Sequence, residues 1–231
     1  NQRVLEYRDQ KLVRVLTPGT YIYWYLQRKP EFVSFDLDDL YFAPKNAERL
    51  YQTCPQLAKY LKRWQLQGDQ AGLLYENGLL RGVVAPGETL MVWKDAADTS
   101  LEPIDLNEAL ELDMALLNRV QRSGANSSTR LIRSDRTVAI KPVAEINVQK
   151  DHVGLLYVDG RYQHKLTPGL HGFWQFKHDI EVRSFDTRQQ QLEISGQEIL
   201  SKDRVSLRLN LSANIRITDV ELAAQQLERV D

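Results

Sequence analysis

At 231 residues, with 42% hydrophobic and 26% charged side chains, the chain is long enough to bury a real core as one large domain or two to three small ones. A formal net charge of −1 excludes the strong basic excess of a dedicated nucleic-acid binder. A single cysteine, Cys54, excludes an internal disulfide framework and any all-cysteine metal site.

Four Trp and ten Tyr favour strands over a helical bundle. No secretory leader pattern opens the sequence. A transmembrane helix needs about 20 apolar residues in a row, whereas Tyr21 to Leu26 runs for six and is rich in Tyr. Position 1 is Asn rather than Met, and we expect a piece of a longer protein.

Three segments align without gaps over their first thirteen positions. The first runs from Tyr7-Arg8-Asp9-Gln10-Lys11 through Thr17-Pro18-Gly19 to Trp24. The second runs from Tyr75-Glu76-Asn77-Gly78-Leu79 through Ala85-Pro86-Gly87 to Trp93. The third runs from Tyr157-Val158-Asp159-Gly160-Arg161 through Thr167-Pro168-Gly169 to Trp174. Each continues to a second landmark that carries Asp36, Asp105 or Asp186, and the Pro-to-Asp separations are 18, 19 and 18 residues.

One unit reads as a meander of three or four strands. The runs Leu73–Tyr75 and Val153–Tyr157 are β-prone. Asn77-Gly78 and Asp159-Gly160 tolerate positive φ at both central positions and predict type I′ hairpins. Asp9-Gln10 stands there in the first copy, so that turn is expected to differ. A second strand leads to Pro-Gly, which predicts a type II turn. A third strand carries the Trp as a core anchor, and a fourth ends near the Asp.

From about Asn46 to Gln67 the residues Ala47, Leu50, Cys54, Leu57, Leu61 and Trp64 recur at spacings of three and four, which predicts one apolar helical face. Pro55 divides it into two helices. The face is expected to pack on a sheet. A membrane-interfacial helix is the rival, since Trp64 lies beside Lys62 and Arg63. Leu106 to Val120 fits strand or helix, and helix is preferred. Ser123 to Ser128 reads as a linker. Arg130, Arg133 and Arg136 follow as a solvated face rather than a phosphate site. Val138 to Val148 reads as extended and contains Pro142, which places it at a sheet edge.

After the third copy, Val205, Leu207, Leu209, Leu211, Ala213, Ile215 and Ile217 alternate with Arg208, Asn210, Asn214 and Arg216. This predicts a long strand with one buried face. Thr218 and Glu221 fit a capping box, and Leu222, Ala223, Leu227 and Val230 begin a helix.

Gly160-Arg161, Leu166 to His171, Asp186-Thr187-Arg188 and Gln197 to Arg208 together resemble the stomatin/slipin branch of the SPFH (band-7) family, over about residues 150–231. The Lys202-Asp203 turn joined to the alternating strand is the most specific part. The resemblance implies a membrane-associated scaffold that forms large homo-oligomers, organises membrane microdomains and controls membrane proteases or other membrane proteins, with no catalytic machinery. It places the protein at a membrane, facing the cytoplasm.

No phosphate-binding loop, dinucleotide fingerprint, zinc-protease motif or nucleophile elbow occurs. His164, His171 and His178 lie seven apart, but odd offsets on strands fall on opposite faces, so they are not a metal site. His171 is placed to cap its turn. Asp36, Asp38 and Asp39 lack the further oxygens and Gly of a calcium loop. Asp36, Asp105 and Asp186 recur with the repeat and are expected to hold turns. Cys54 is expected to be buried rather than lipidated.

The expected architecture is therefore α+β. Tandem small antiparallel β-meander units carry accessory helices, and the last unit is SPFH/band-7-like. The expected boundaries are 1–68 for the first unit plus helix, 69–128 for the second, and 129–231 for the C-terminal domain. No catalytic, cofactor-binding or metal residue is assigned, and no cofactor or nucleic acid is expected. The rival function is a soluble peptide- or ligand-binding module whose N-terminal units form a client groove.

Overall fold

Two adjacent residues at positive φ let a chain reverse within a two-residue hairpin, and this geometry occurs three times: Asp9 and Gln10 (47° and 62°), Asn77 and Gly78 (51° and 78°), Asp159 and Gly160 (50° and 74°). The first copy makes the same reversal as the others, although Gln10 has no glycine freedom. The computed structural model describes residues 2–24, 29–133 and 140–227. The chain forms two compact units, Asn1–Pro142 and Val143–Asp231.

In the first unit, β1 (Gln2–Arg8) pairs with β2 (Lys11–Leu16) across the first hairpin and with β3 (Glu31–Asp36) on its other side. Two short helices follow, α1 (Ala47–Thr53) and α2 (Leu57–Tyr60). The chain then turns extended as β4 (Leu61–Gln65). The second meander is β5 (Gln70–Glu76), β6 (Leu79–Val84), β7 (Thr89–Trp93) and β8 (Thr99–Asp105). Helix α3 (Met114–Ser123) and the short β9 (Leu131–Ile132) close the unit. β9 runs parallel to β6.

The second unit opens with β10 (Val143–Val148) and continues through β11 (His152–Val158), β12 (Arg161–Leu166), β13 (Gly169–Trp174) and β14 (Ile180–Asp186). A ribbon of β15 (Gln190–Leu200) and β16 (Ser206–Ile215) leads into α4 (Val220–Leu227). The fold is α+β, with small antiparallel sheets interspersed with short helices.

The sheets β2-β1-β3, β6-β5-β8 and β12-β11-β14 share one strand order, with β9 added at the edge of the second. The first pair of each carries a bulge at the same place, before Tyr7, Tyr75 and Tyr157. The extra residue lies on the returning strand, as Val13, Arg81 or Gln163, immediately before Arg14, Gly82 and His164, and deepens the local twist. Copies two and three add a pair outside the sheet. β4 runs antiparallel to β7, and β10 antiparallel to β13, each beginning opposite the Trp.

Leu61 and Trp64 therefore stand on β4 rather than on a helix. Cys54 ends α1 in an extended conformation, and α2 lasts one turn, so pairing with β7 overrides a helical spacing that local sequence also allowed. The apolar side chains of this segment do pack inward. Leu50, Cys54, Leu57 and Leu61 form a buried cluster with Leu5, Val15, Phe42, Met91 and Trp93. The sheet-packing reading holds, and the interfacial-helix rival has no exposed apolar face to use.

Other expectations shift by a few residues. α3 takes only the end of Leu106–Val120; Asp113 caps it by accepting the Leu116 N–H, and Gly124 closes it at φ 67°. Arg130 donates to the Ser123 carbonyl at that helix end, where a cation is favoured. Asp219, not Thr218, caps α4, accepting the Leu222 N–H at 3.1 Å. The Pro-Gly turn places glycine at φ 75° only at Gly87; Gly169 (φ 140°) opens β13, and Gly19 lies outside the left-handed region. Arg136, Val138 and Val230 lie outside the described residues.

Candidate interaction surfaces

The β15–β16 ribbon is the least covered part of the second unit. Leu192 pairs with Ala213, Ile194 with Leu211, and Ile199 with Leu207, so these side chains share one face with Leu209 and Ile215. Ile194 and Ile199 are five residues apart, and an odd offset would place them on opposite faces. A bulge between Ile194 and Gln197 absorbs the extra residue and restores the phase. Gly196 makes it feasible at φ 74°, and its N–H donates to Asn210 Oδ1 at 3.0 Å.

The sequence predicted that this face is buried. It is exposed instead: Leu211 keeps 57% of its surface, Leu207 47% and Leu209 40%. The opposite face carries Glu193, Glu198, Arg208, Asn210 and Asn214, so the ribbon is amphipathic with neither face covered among the described residues.

The remainder of the second unit is anchored. Val220 and Ala224 of α4 bury against Leu155 of the central strand. Glu221, on the same helix, accepts from Tyr162 Oη and lies 3.5 Å from Lys165 Nζ. The carboxylate beside the phenol, with burial adding to it, pushes the Tyr162 pKa up to about 12.

The residues singled out for chemistry serve the fold. Asp36, Asp105 and Asp186 each accept the backbone N–H two residues on, from Asp38, Asn107 and Arg188, at 3.1, 2.8 and 2.9 Å. These are the turn bonds expected of them. Arg188 also grips the Asp186 carboxylate, and together with its own N–H holds that group well below the usual carboxylate range. His171 Nε2 meets the Thr167 carbonyl at 2.9 Å, and His178 Nδ1 meets Asp159 Oδ2 at 2.6 Å. Among the described residues no group of three or more His, Cys, Asp or Glu gathers to hold a metal ion. Cys54 is buried in the core.

Two features escaped the sequence reading. Glu6 is fully buried, with Arg14 Nε at 2.5 Å, Arg8 Nε at 3.0 Å and Tyr23 Oη at 3.0 Å. Burial alone would raise its pKa; the three donors outweigh burial and hold it below the ordinary value. The repeat alignment held the signal, because the matching residues are the core leucines Leu74 and Leu156. The second corrects an expectation: the repeat predicts Trp24 as the core anchor of a third strand, yet Thr20–Trp24 forms no strand and Trp24 is not buried. Trp93 and Trp174 are buried to 1% and 2% exposure as core anchors, whereas Trp24 is 89% exposed and Ile22 83%.

The third sheet, the ribbon and the start of α4 coincide with a family match: residues 146–231 fit the profile described as "SPFH domain / Band 7 family". An SPFH/Band 7 domain occupies this C-terminal part of the chain. Comparisons with curated proteins and with solved structures returned no match. The SPFH/Band 7 domain supports a general membrane-associated scaffold role. Among the described residues no helix is long and apolar enough to cross a membrane.

Proposed function

We propose that the chain is a non-enzymatic scaffold of the slipin/stomatin type, which self-assembles at the cytoplasmic face of a membrane. There it organises microdomains or regulates a membrane protease or another membrane protein. The observation that carries this reading is the bare apolar face of the β15–β16 ribbon within the SPFH/Band 7 domain. A two-stranded hairpin is marginal in water by itself. A contiguous exposed apolar patch marks an interaction site, and both ribbon edges offer backbone groups to a neighbour. Packing ribbon faces between subunits would cover that surface. The two N-terminal sheets share the strand order, hairpin and bulge of the domain's own first sheet, so we read them as degenerate relatives of its early part that extend the assembly.

Native mass measurement and electron microscopy of the protein with lipid vesicles test this reading. Large homo-oligomers that engage lipid are expected. A protein that stays monomeric and ignores vesicles would sink it. The rival reading, a soluble peptide-binding module, draws on the exposed Trp24.

A further inference from the structure

The second and third hairpins are fastened in the same way. Asn77 donates its N–H to the Asp98 carbonyl at 2.7 Å, and its side-chain oxygen accepts the Asp98 N–H at 3.3 Å. Asp159 donates its N–H to the Asp179 carbonyl at 2.9 Å, and its carboxylate accepts the Asp179 N–H at 2.9 Å. Each clasp joins the first residue of the turn to the residue just before the fourth strand, β8 or β14.

The two clasps differ in two side chains. Asp159 stands where the second copy has Asn77, and His178 where it has Ala97. Ala97 packs against the apolar cluster of Leu74, Val84 and Val92. His178 instead turns Nδ1 to the second Asp159 oxygen, 2.6 Å away. A neutral clasp is thereby replaced by one that holds an ion pair whenever the imidazole is protonated. Protons reach it freely, since His178 and Asp159 side chains are 35% and 54% exposed.

We infer that the third clasp is a pH-sensitive fastener: protonated His178 holds loop 175–179 to the hairpin at Asp159, and loss of that proton leaves only the two bonds that the second copy also has. The loop carries Phe176, whose ring stacks on the buried Trp174 at 5.9 Å, so the clasp sets how firmly the segment beside that core anchor is held. The other charged groups around the pair are Arg161 at the start of β12, Lys177 and Asp179 beside His178 in the chain, and Glu181 of β14, which accepts from Arg183. Histidine is the residue type among them whose charge ordinarily changes between about pH 5 and 8. The His178 bond, and after it the Asp179 N–H, hold the Asp159 carboxyl below its ordinary value. Its contribution is therefore complete above that value and drains as pH falls through the folded one, whereas the histidine contribution is lost as pH rises. The fastener is tightest in mildly acid water. It needs no assembly and no lipid, so it stands or falls apart from the scaffold reading.

The second clasp is the internal control. Hydrogen exchange of the 231-residue protein is followed at about pH 8 and about pH 5.5. Protection at the Asp159 and Asp179 amides is taken relative to that at Asn77 and Asp98, which cancels the intrinsic pH dependence of exchange. This ratio should rise about two- to fivefold at the lower pH, the range that exposed ion pairs give. Asp159→Asn and His178→Ala each install the residue of the second copy, keep the two shared bonds and should abolish the rise. His152, His164 and His171 remain in both variants. The inference is overturned by a ratio that does not change with pH, or by a rise that persists in either variant.

Discussion

Arg14 Nε donates to Glu6 Oε2 across 2.5 Å, directly opposite it on the β1–β2 ladder, where the other two sheets bury Leu74 and Leu156. The first sheet thus replaces an apolar core contact with a buried carboxylate held by three donors. Because those donors keep the folded carboxyl below its ordinary value, their stabilisation is complete above that value and drains as pH falls through the folded one. Unfolding midpoints in urea, followed from neutral pH to about pH 3, should show this acid loss. Glu6→Leu restores the residue type of the other copies. It should unfold no earlier than the parent at neutral pH and lose less on acidification, since exchanging a buried ion pair for a packed apolar side chain is often neutral or favourable. Arg14→Met should cost about 1–3 kcal/mol at neutral pH by withdrawing the shortest donor.

Gln10 holds φ 62°, where its counterparts are Gly78 and Gly160. A side chain in the left-handed region costs about 1–2 kcal/mol, partly offset by the greater freedom of an unfolded glycine. Gln10→Gly should therefore stabilise the protein by up to about 1 kcal/mol. A Cβ at Gly160 would meet nothing within 4 Å, so Gly160→Gln isolates the same conformational cost with opposite sign. Thermal unfolding of both variants checks the pair, and a shift in the same direction for both would refute the argument.

A different constraint acts at Gly82. A Cβ there would lie 2.5 Å from the Arg130 carbonyl oxygen, which also accepts from the Val83 N–H at 3.4 Å. The matching positions carry Arg14 and His164, and in those sheets no parallel strand approaches among the described residues. Gly82→Ala should push β9 away from β6 and cost about 1–3 kcal/mol, as overpacking does. Hydrogen exchange at the Val83 and Ala85 amides, both bonded to the β9 segment, should accelerate while the rest of the second sheet keeps its protection.

What the sequence disclosed follows the range of the forces involved. The hairpin at Asn77-Gly78, the turn role of Asp36, Asp105 and Asp186, and the alternation from Ser206 to Ile215 are local, set by φ preference, a short side-chain bond and a two-residue period. Leu61 and Trp64 were misread because their spacing also fits a helix, and only the distant β7 decides between the two. The ribbon's exposure was hidden for a related reason: alternation says that one face is apolar, not that this chain covers it. Glu6 lay in plain view as a mismatch with two leucines, but its burial depends on Arg14 and Tyr23 arriving to hold it.

The ribbon gives the sharpest separation between a fold role and an assembly role. Leu209 lies on the apolar face of β16 and Ser212 on the polar face, and both are exposed. An arginine at either position projects into solvent in the single chain, so Leu209→Arg and Ser212→Arg should each change stability by no more than about 0.5 kcal/mol. Assembly should divide them. A charge within a packed apolar contact is left without water or partner, which is costly, so Leu209→Arg should shift the protein to small species in sedimentation velocity. Ser212→Arg should assemble as the parent does. Equal assembly by both variants would remove the apolar face from the contact, and equal loss by both would point to a general effect of added charge instead.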